Sequence, residues 1–296
     1  MNLLFQPFAL HALLGASLVA IISGLIGPFV ISRGMSFAVH GTAELAFTGA
    51  AAGLLIAGNP IAGALCGAVI VAGVIGLLGA RERERDSSIG VILAFGLGLG
   101  VLLLSLYRGF ATEATNILFG NIFGISNGQL VTLLLIGFGV ILVMSIIYRP
   151  LLFASVDPDV AIARGVNIRL IGIIFLFVLA FTVTAASQVV GTLLVLSIAI
   201  TPAAAAMRFT ARPSRAVALS VLFALLAADG GLATSLANGS IKPSVSVTTF
   251  SFAIYLVARL LGPTLRSTRS AQYGAEPNIV HRRENLGSAA GSKLEP

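Results

Sequence analysis

The sequence has no tryptophan and a single cysteine, Cys66, in 296 residues. A lone thiol excludes an internal disulfide and a cysteine metal cluster. Charge is nearly as scarce: Asp, Glu, Lys and Arg make up 10% of the chain, where a soluble domain carries about 25%. Together with 57% hydrophobic residues and a mean hydropathy of +1.02, this excludes an ordinary soluble domain and leaves a polytopic membrane protein. No charged segment precedes the first apolar run, so that run is expected to stay as a span rather than be cleaved as a signal peptide. There is no Gly-x-x-x-x-Gly-Lys-Ser/Thr phosphate loop and no His-Glu-x-x-His helix. The net charge of +7 has a topological explanation before a nucleic-acid one, because the arginines fall between apolar runs.

What is present is mostly apolar helix. At about 20 apolar residues per span, the runs predict an all-α transmembrane bundle of nine spans, eight to ten being the range the runs allow. They lie at about Leu13 to Ile31, Phe37 to Ala57, Ile61 to Leu78, Ile89 to Tyr107, Leu130 to Tyr148, Leu170 to Ala185, Val189 to Met207, Val217 to Leu236 and Val245 to Leu261. Between Arg169 and Arg208 there are 38 uncharged residues, about 57 Å as one helix, which exceeds a hydrocarbon core of about 30 Å. A hairpin is therefore expected near Ala186-Ser187-Gln188. With the loop Arg149 to Arg169 in the cytoplasm, nine alternating spans place Arg33, Arg81, Arg83, Arg85, Arg149, Arg164, Arg169, Arg208, Arg212, Arg215 and the basic tail inside. Only Arg108 and Lys242 fall outside, so the amino terminus is expected outside and the carboxyl terminus inside. Residues 1–263 form the predicted membrane domain, and from Thr264 onward the polar, Ser/Gly/Arg-rich tail is expected to be disordered.

Against that background two residues in one span stand out. His40 and Glu44 lie in the second run, four residues apart and so on one helix face. An ionisable side chain inside a membrane normally faces protein or a water-filled path. Imidazole and carboxylate are donors that Zn²⁺ takes and Mn²⁺ tolerates, which points to a divalent-metal path; a structural hydrogen bond between the two is the plainer alternative. One helix supplies two ligands where a metal takes four or more, and a two-fold dimer would supply the rest. Asp229, in the eighth run, is a further candidate ligand or proton relay, with pairing to backbone or hydroxyl groups at Gly230-Gly231 as the alternative.

The remaining signals are local. Asp157 and Pro158 read as a helix cap and first helical position, and Gly165 as the stop of a helix about two turns long. A helix so short needs a partner surface: either the protein's own span ends, through Val160, Ala161 and Ala163 to Val166, or a nucleotide-hydrolysing subunit. Pro202, followed by Ala203 to Ala206, should kink or break a span near its cytoplasmic end, either as cavity-lining helices do or as a packing kink without a gating role. Gly49/Gly53 and Gly63/Gly67 have small-xxx-small spacing, and Gly96, Gly98 and Gly100 are expected to serve close helix packing.

Three stretches, in this order and spacing, resemble the membrane subunits of the zinc and manganese uptake branch of bacterial ABC importers. They are Arg33-Gly34-Met35-Ser36 leading into the His40/Glu44 helix, Asp157-Pro158-Asp159-Val160-Ala161 to Gly165-Val166, and Gly191 through Pro202-Ala203 to Ala206. The resemblance covers about residues 10 to 262. It implies a permease in the bacterial cytoplasmic membrane importing zinc or manganese, with iron a further option, by alternating access. It implies a homodimer of permeases, an ATPase subunit that binds ATP, and an extracytoplasmic metal-binding protein, with Asp157, Pro158, Ala161, Gly165 and Val166 as the coupling segment. Pro202 and Gly191 would belong to the gating or helix-break segment, and no cofactor would reside in this chain. Two departures stand out: the family usually has the carboxylate first and the histidine four residues later, and it usually lacks a lysine at the position of Lys242. A permease for a metal chelate or another small solute keeps the machine and changes the cargo. An intramembrane metal-dependent hydrolase lacks a second membrane histidine, since His11 lies near a span edge and His281 in the tail. A proton-coupled carrier using Glu44 and Asp229 would leave the Asp157 to Val166 loop without a purpose.

Overall fold

The computed structural model describes residues 7–78, 82–108, 110–239 and 241–273. Arg81 and the tail from 274 onward, including His281, lie outside them. The described chain is all-helical: α1 (Pro7–Ser32), α2 (Ser36–Ala57), α3 (Pro60–Leu78), α4 (Glu82–Ser105), α5 (Phe110–Phe119), α6 (Asn127–Val156), α7 (Pro158–Ala163), α8 (Ile168–Val190), α9 (Val195–Ala199), α10 (Thr201–Phe209), α11 (Pro213–Ala237) and α12 (Pro243–Tyr273), with a 3-10 turn at Ile122–Gly124. Among the described residues six helices are long and apolar enough to cross a membrane: α1, α2, α6, α8, α11 and α12 up to Leu261. The third and fourth expected runs fall on α3 and α4, whose shorter apolar stretches among the described residues are Pro60–Gly76 and Leu93–Ser105, and the seventh falls on the short helices of Val195–Phe209. α12 continues as helix to Tyr273, past the predicted start of the tail at Thr264.

The seventh segment differs most from expectation. The chain does not reverse at Ala186-Ser187-Gln188, because alanine, serine and glutamine all fit a helix. The Ser187 hydroxyl donates to the Thr184 carbonyl within α8 (2.8 Å), and α8 runs on to Val190. The turn comes at Gly191, whose φ of 97° is open to glycine and strained for other residues. From there Val195–Phe209 is two short helices instead of one span. They are separated at Ile200, and Pro202 lies in the first turn of α10, where its missing N–H costs least.

Close packing follows the small residues. α2 and α3 cross at Gly49, Gly53, Gly63 and Gly67, so tightly that a Cβ on Gly49 would strike the Gly63 carbonyl. Gly96 and Gly100 of α4 face Leu45, Phe47 and Thr48 of α2, whereas Gly98 faces open space. The Thr48 hydroxyl donates to the Gly96 carbonyl, joining the two helices. α1, α2 and α8 bury most of their span surface and form the centre of the core. α6, α11 and α12 bury the lesser part and stand at the periphery.

Candidate functional site

The stretch leading into the His40/Glu44 helix is a helix-to-helix turn. Gly34 has φ 63° and its N–H bonds to the Ile31 carbonyl (3.1 Å), while the Met35 N–H reaches the Val30 carbonyl (2.8 Å). This paired pattern closes α1 and lets α2 start at Ser36. Arg33, at the end of α1, places its guanidinium carbon 5.9 Å from the centre of the Phe175 ring on α8.

About one turn into α2 His40 is half-buried, and on the next turn Glu44 is 4% exposed. The His40 Nδ1 and the Glu44 Oε2 are both enclosed by protein and neither has a hydrogen-bond partner. Buried polar atoms left unsatisfied are rare and expensive, and a pair of them on one helix face needs a physical reason. A cation accepted by both supplies one. Among the described residues no three of His, Cys, Asp and Glu stand together, so one chain offers an incomplete ligand set.

Asp229 is placed elsewhere. Its Oδ1 accepts from the Ser17 hydroxyl of α1 (2.9 Å), and α11 packs on α1, α12 and α10, while α2 packs chiefly on α3 and α4. Ser17 was not foreseen; a serine inside an apolar run, on a helix that pairs with α11, is the signal that would have found it.

The short helix α7 follows its sequence grammar closely. The Asp157 carboxylate accepts from the Val160 N–H (3.1 Å), and Pro158 occupies the first helical position of α7. Gly165 has φ 78°, its N–H bonds to the Ile162 carbonyl (2.9 Å), and the Val166 N–H bonds to the Ala161 carbonyl (3.0 Å). Of the apolar side chains, only that of Ala161 is fully buried; Val160 and Ile162 are exposed, so the helix does not lie with its apolar face on the protein's own span ends. Arg164 folds back over Phe153 of α6, 5.3 Å from the ring centre.

At the opposite end of the spans, the end of α5 is strapped to the turn after α8. Gly120 (φ 75°) and Gly191 lie back to back, each so close to the other's backbone that a Cβ on either would collide with it. The Thr192 and Leu193 N–H groups bond to the Ile117 and Leu118 carbonyls (3.2 and 3.3 Å). The Ser244 hydroxyl donates to the Phe119 carbonyl, and Lys242 lies over the Phe119 ring at 5.1 Å, tying in the start of α12. Behind this strap is a cavity of about 170 Å³ lined by Asn116, Asn121, Gln129, Ser187, Gln188 and Thr192, with Ala46 and Ala50 of α2 in its wall. Sequence reasoning missed it, since its polar groups come from segments far apart in the chain.

Comparison with known proteins agrees with this architecture. Residues 6–262 match the family model described as the ABC 3 transport family. The manganese transport system membrane protein MntC of Halalkalibacterium halodurans is 33% identical over 259 residues, covering 86% of this chain and 89% of that protein. The high-affinity zinc uptake system membrane protein ZnuB of Haemophilus influenzae is 30% identical over 84% of this chain and 96% of its own length. The solved structure of PsaBC from Streptococcus pneumoniae in complex with Fab superimposes with a TM-score of 0.80 at 26% identity, over 91% of this chain and 97% of that one. The chain belongs to the ABC 3 transport family, as a polytopic helical membrane protein.

Proposed function

We propose that this chain is the permease of an importer for a divalent transition metal, Mn²⁺ or Zn²⁺, driven by a separate ATPase. The observation that carries the metal path is the pair of enclosed, unpartnered atoms, His40 Nδ1 and Glu44 Oε2, on one face of α2. The names of the relatives, a manganese transport membrane protein and a zinc uptake membrane protein, support the same cargo class. The reversed order of histidine and carboxylate keeps the donor types, one nitrogen and one oxygen per chain, which suits a borderline ion.

In this account two copies meet on a two-fold axis and bring together two His40 and two Glu44 as a transient four-donor site. Asp229, held by Ser17, stays apart as a proton relay between α1 and α11. α7 couples the permease to the ATPase: its ends are fixed by Asp157, Pro158, Gly165 and Val166, Ala161 seats it on the bundle, and Val160 and Ile162 face outward. The α9–α10 break at Ile200, beside Pro202, and the turn at Gly191 give this segment a jointed form suited to opening and closing. Nine crossings, with α3, α4 and the α9–α10 pair completing the six long spans, leave the amino terminus outside and the carboxyl terminus inside. An extracytoplasmic metal-binding protein delivers the ion to the outer face, and ATP binds to the partner.

Metal content tests the shared site directly. Purified protein titrated with Mn²⁺ or Zn²⁺ should bind one tight ion per two chains, and the Glu44→Gln variant should lose it. One ion per chain, or binding unaffected by Glu44→Gln, would contradict the two-fold arrangement.

A further inference from the structure

The cavity behind the α5 strap is chemically unlike the rest of this apolar chain. Four amide side chains, Asn116, Asn121, Gln129 and Gln188, and two hydroxyls, Ser187 and Thr192, converge on it, and none of them is ionisable. The Gln129 amide donates to the Gln188 side-chain carbonyl (3.4 Å), and Ser187 gives its proton to the Thr184 carbonyl, so its oxygen faces the cavity as an acceptor. Thr192 is 2% exposed, and its Oγ1 is enclosed without a hydrogen-bond partner. Its backbone is fixed by the bond from its N–H to the Ile117 carbonyl, and its burial closes the hydroxyl off from solvent. An apolar occupant would leave these groups unpaired, whereas water or a hydrated ion would satisfy them. At about 170 Å³ the cavity has room for an ion and several waters.

Its position gives it a purpose. Ala46 and Ala50 put its wall on α2, on the far side of Glu44 from the Arg33 turn. It stands within two turns of Glu44 toward the strap end, about a third of a turn round the helix from the His40/Glu44 face.

We propose that the cavity is an entry subsite that holds the divalent cation while it keeps part of its water shell, ahead of transfer to His40 and Glu44. This rests on the metal-permease function proposed above. Neutral oxygen donors can accept from bound waters or replace one or two of them, without the deep binding that charged ligands would give. Such a set suits Mn²⁺, which takes carbonyl and water oxygens readily, better than Zn²⁺, which favours imidazole and thiolate. Thr192 and Gln188 are the specificity-determining residues, because they stand together at the junction of α8 with its turn.

The test is uptake kinetics in cells carrying the whole transporter, with Mn²⁺ and Zn²⁺ as the probes. Thr192→Val keeps the shape and removes the hydroxyl; together with Gln188→Leu it is expected to raise KM for Mn²⁺ about tenfold, as loss of a hydrogen bond to a charged species would, with a smaller rise for Zn²⁺ and little change in maximal rate. Thr192→Ser, which retains the hydroxyl, should behave as wild type. Gln188→Glu, which adds a charge, should lower KM for Mn²⁺, and this gain cannot arise from misfolding. Unchanged Mn²⁺ KM in Thr192→Val, Gln188→Leu and Gln188→Glu, at normal membrane levels and with active wild type, would overturn the subsite and leave a water-filled vestibule. Wild type that carries neither metal would instead remove the permease function, and the subsite with it.

Discussion

Gly191 shows how much one residue without a side chain fixes. It lets α8 end, turns the chain with φ 97°, and brings its backbone against Phe119 and Gly120. Gly191→Ala meets both penalties at once, a left-handed φ and a collision with main-chain atoms, so a loss of about 1–3 kcal/mol or more is expected. Gly239 faces open space, and Gly239→Ala should stay within about 0.5 kcal/mol. Thermal unfolding of the two variants in detergent checks the difference; equal midpoints would mean that the back-to-back glycine contact is absent. At this scale the sequence was informative where a residue's chemistry is improbable in its surroundings. His40 and Glu44 were legible because charge inside a span is costly. Gln188 and Thr192 were not: a glutamine looked like a place to turn, yet it continues α8 to Val190 and lines a cavity. Nothing local marks Asn116 or Gln129 as its companions, since the cavity exists only after four separate segments have packed.

Among the elements, α7 was the most legible, since Asp157-Pro158 and Gly165 state its start and stop in residue types whose backbone preferences are strong. What the sequence left open was which surface it faces; Ala161 turns inward, while Ile162 is 61% exposed on a helix of six residues. An apolar side chain held out by a capped helix is free to dock. Ile162→Asp is therefore expected to leave thermal stability unchanged and to abolish ATP-driven transport, measured as uptake alongside pull-down of the ATPase; full uptake in this variant would count against coupling through α7. Asp157→Ala should cost about 1 kcal/mol of cap and weaken transport partially. The seventh segment is two short helices instead of one, because the chain turns at Gly191 and breaks again at Ile200 beside Pro202, and hydropathy does not record where a helix breaks.

For the whole molecule, one orientation accounts for the charge pattern. α7 with Arg164 and the α1–α2 turn with Arg33 lie at one end of the spans, and the Gly120–Gly191 strap with Lys242 lies at the other. With the first end in the cytoplasm the positive-inside rule is met. In a Cys66→Ser background, a cysteine at Ile162 should react with a membrane-impermeant thiol reagent only in inverted vesicles, and a cysteine at Asn59 only in intact cells. The reverse pattern would invert the topology and the direction of transport drawn from it. The fold at this scale was legible in outline, because apolar runs of span length leave few alternatives to a helical bundle; the pairing of α1 with α11 and of α2 with α3 and α4 was not, since lipid-facing and protein-facing apolar residues look alike in sequence. Passage of metal between His40 and Glu44 is tested by uptake of Mn²⁺ and Zn²⁺ in cells with and without the partner ATPase, comparing wild type with His40→Ala and Glu44→Ala. Uptake that requires the ATPase and collapses in both variants, with the protein still in the membrane, is the expected result; normal uptake in both variants would contradict it and take the two residues out of the path.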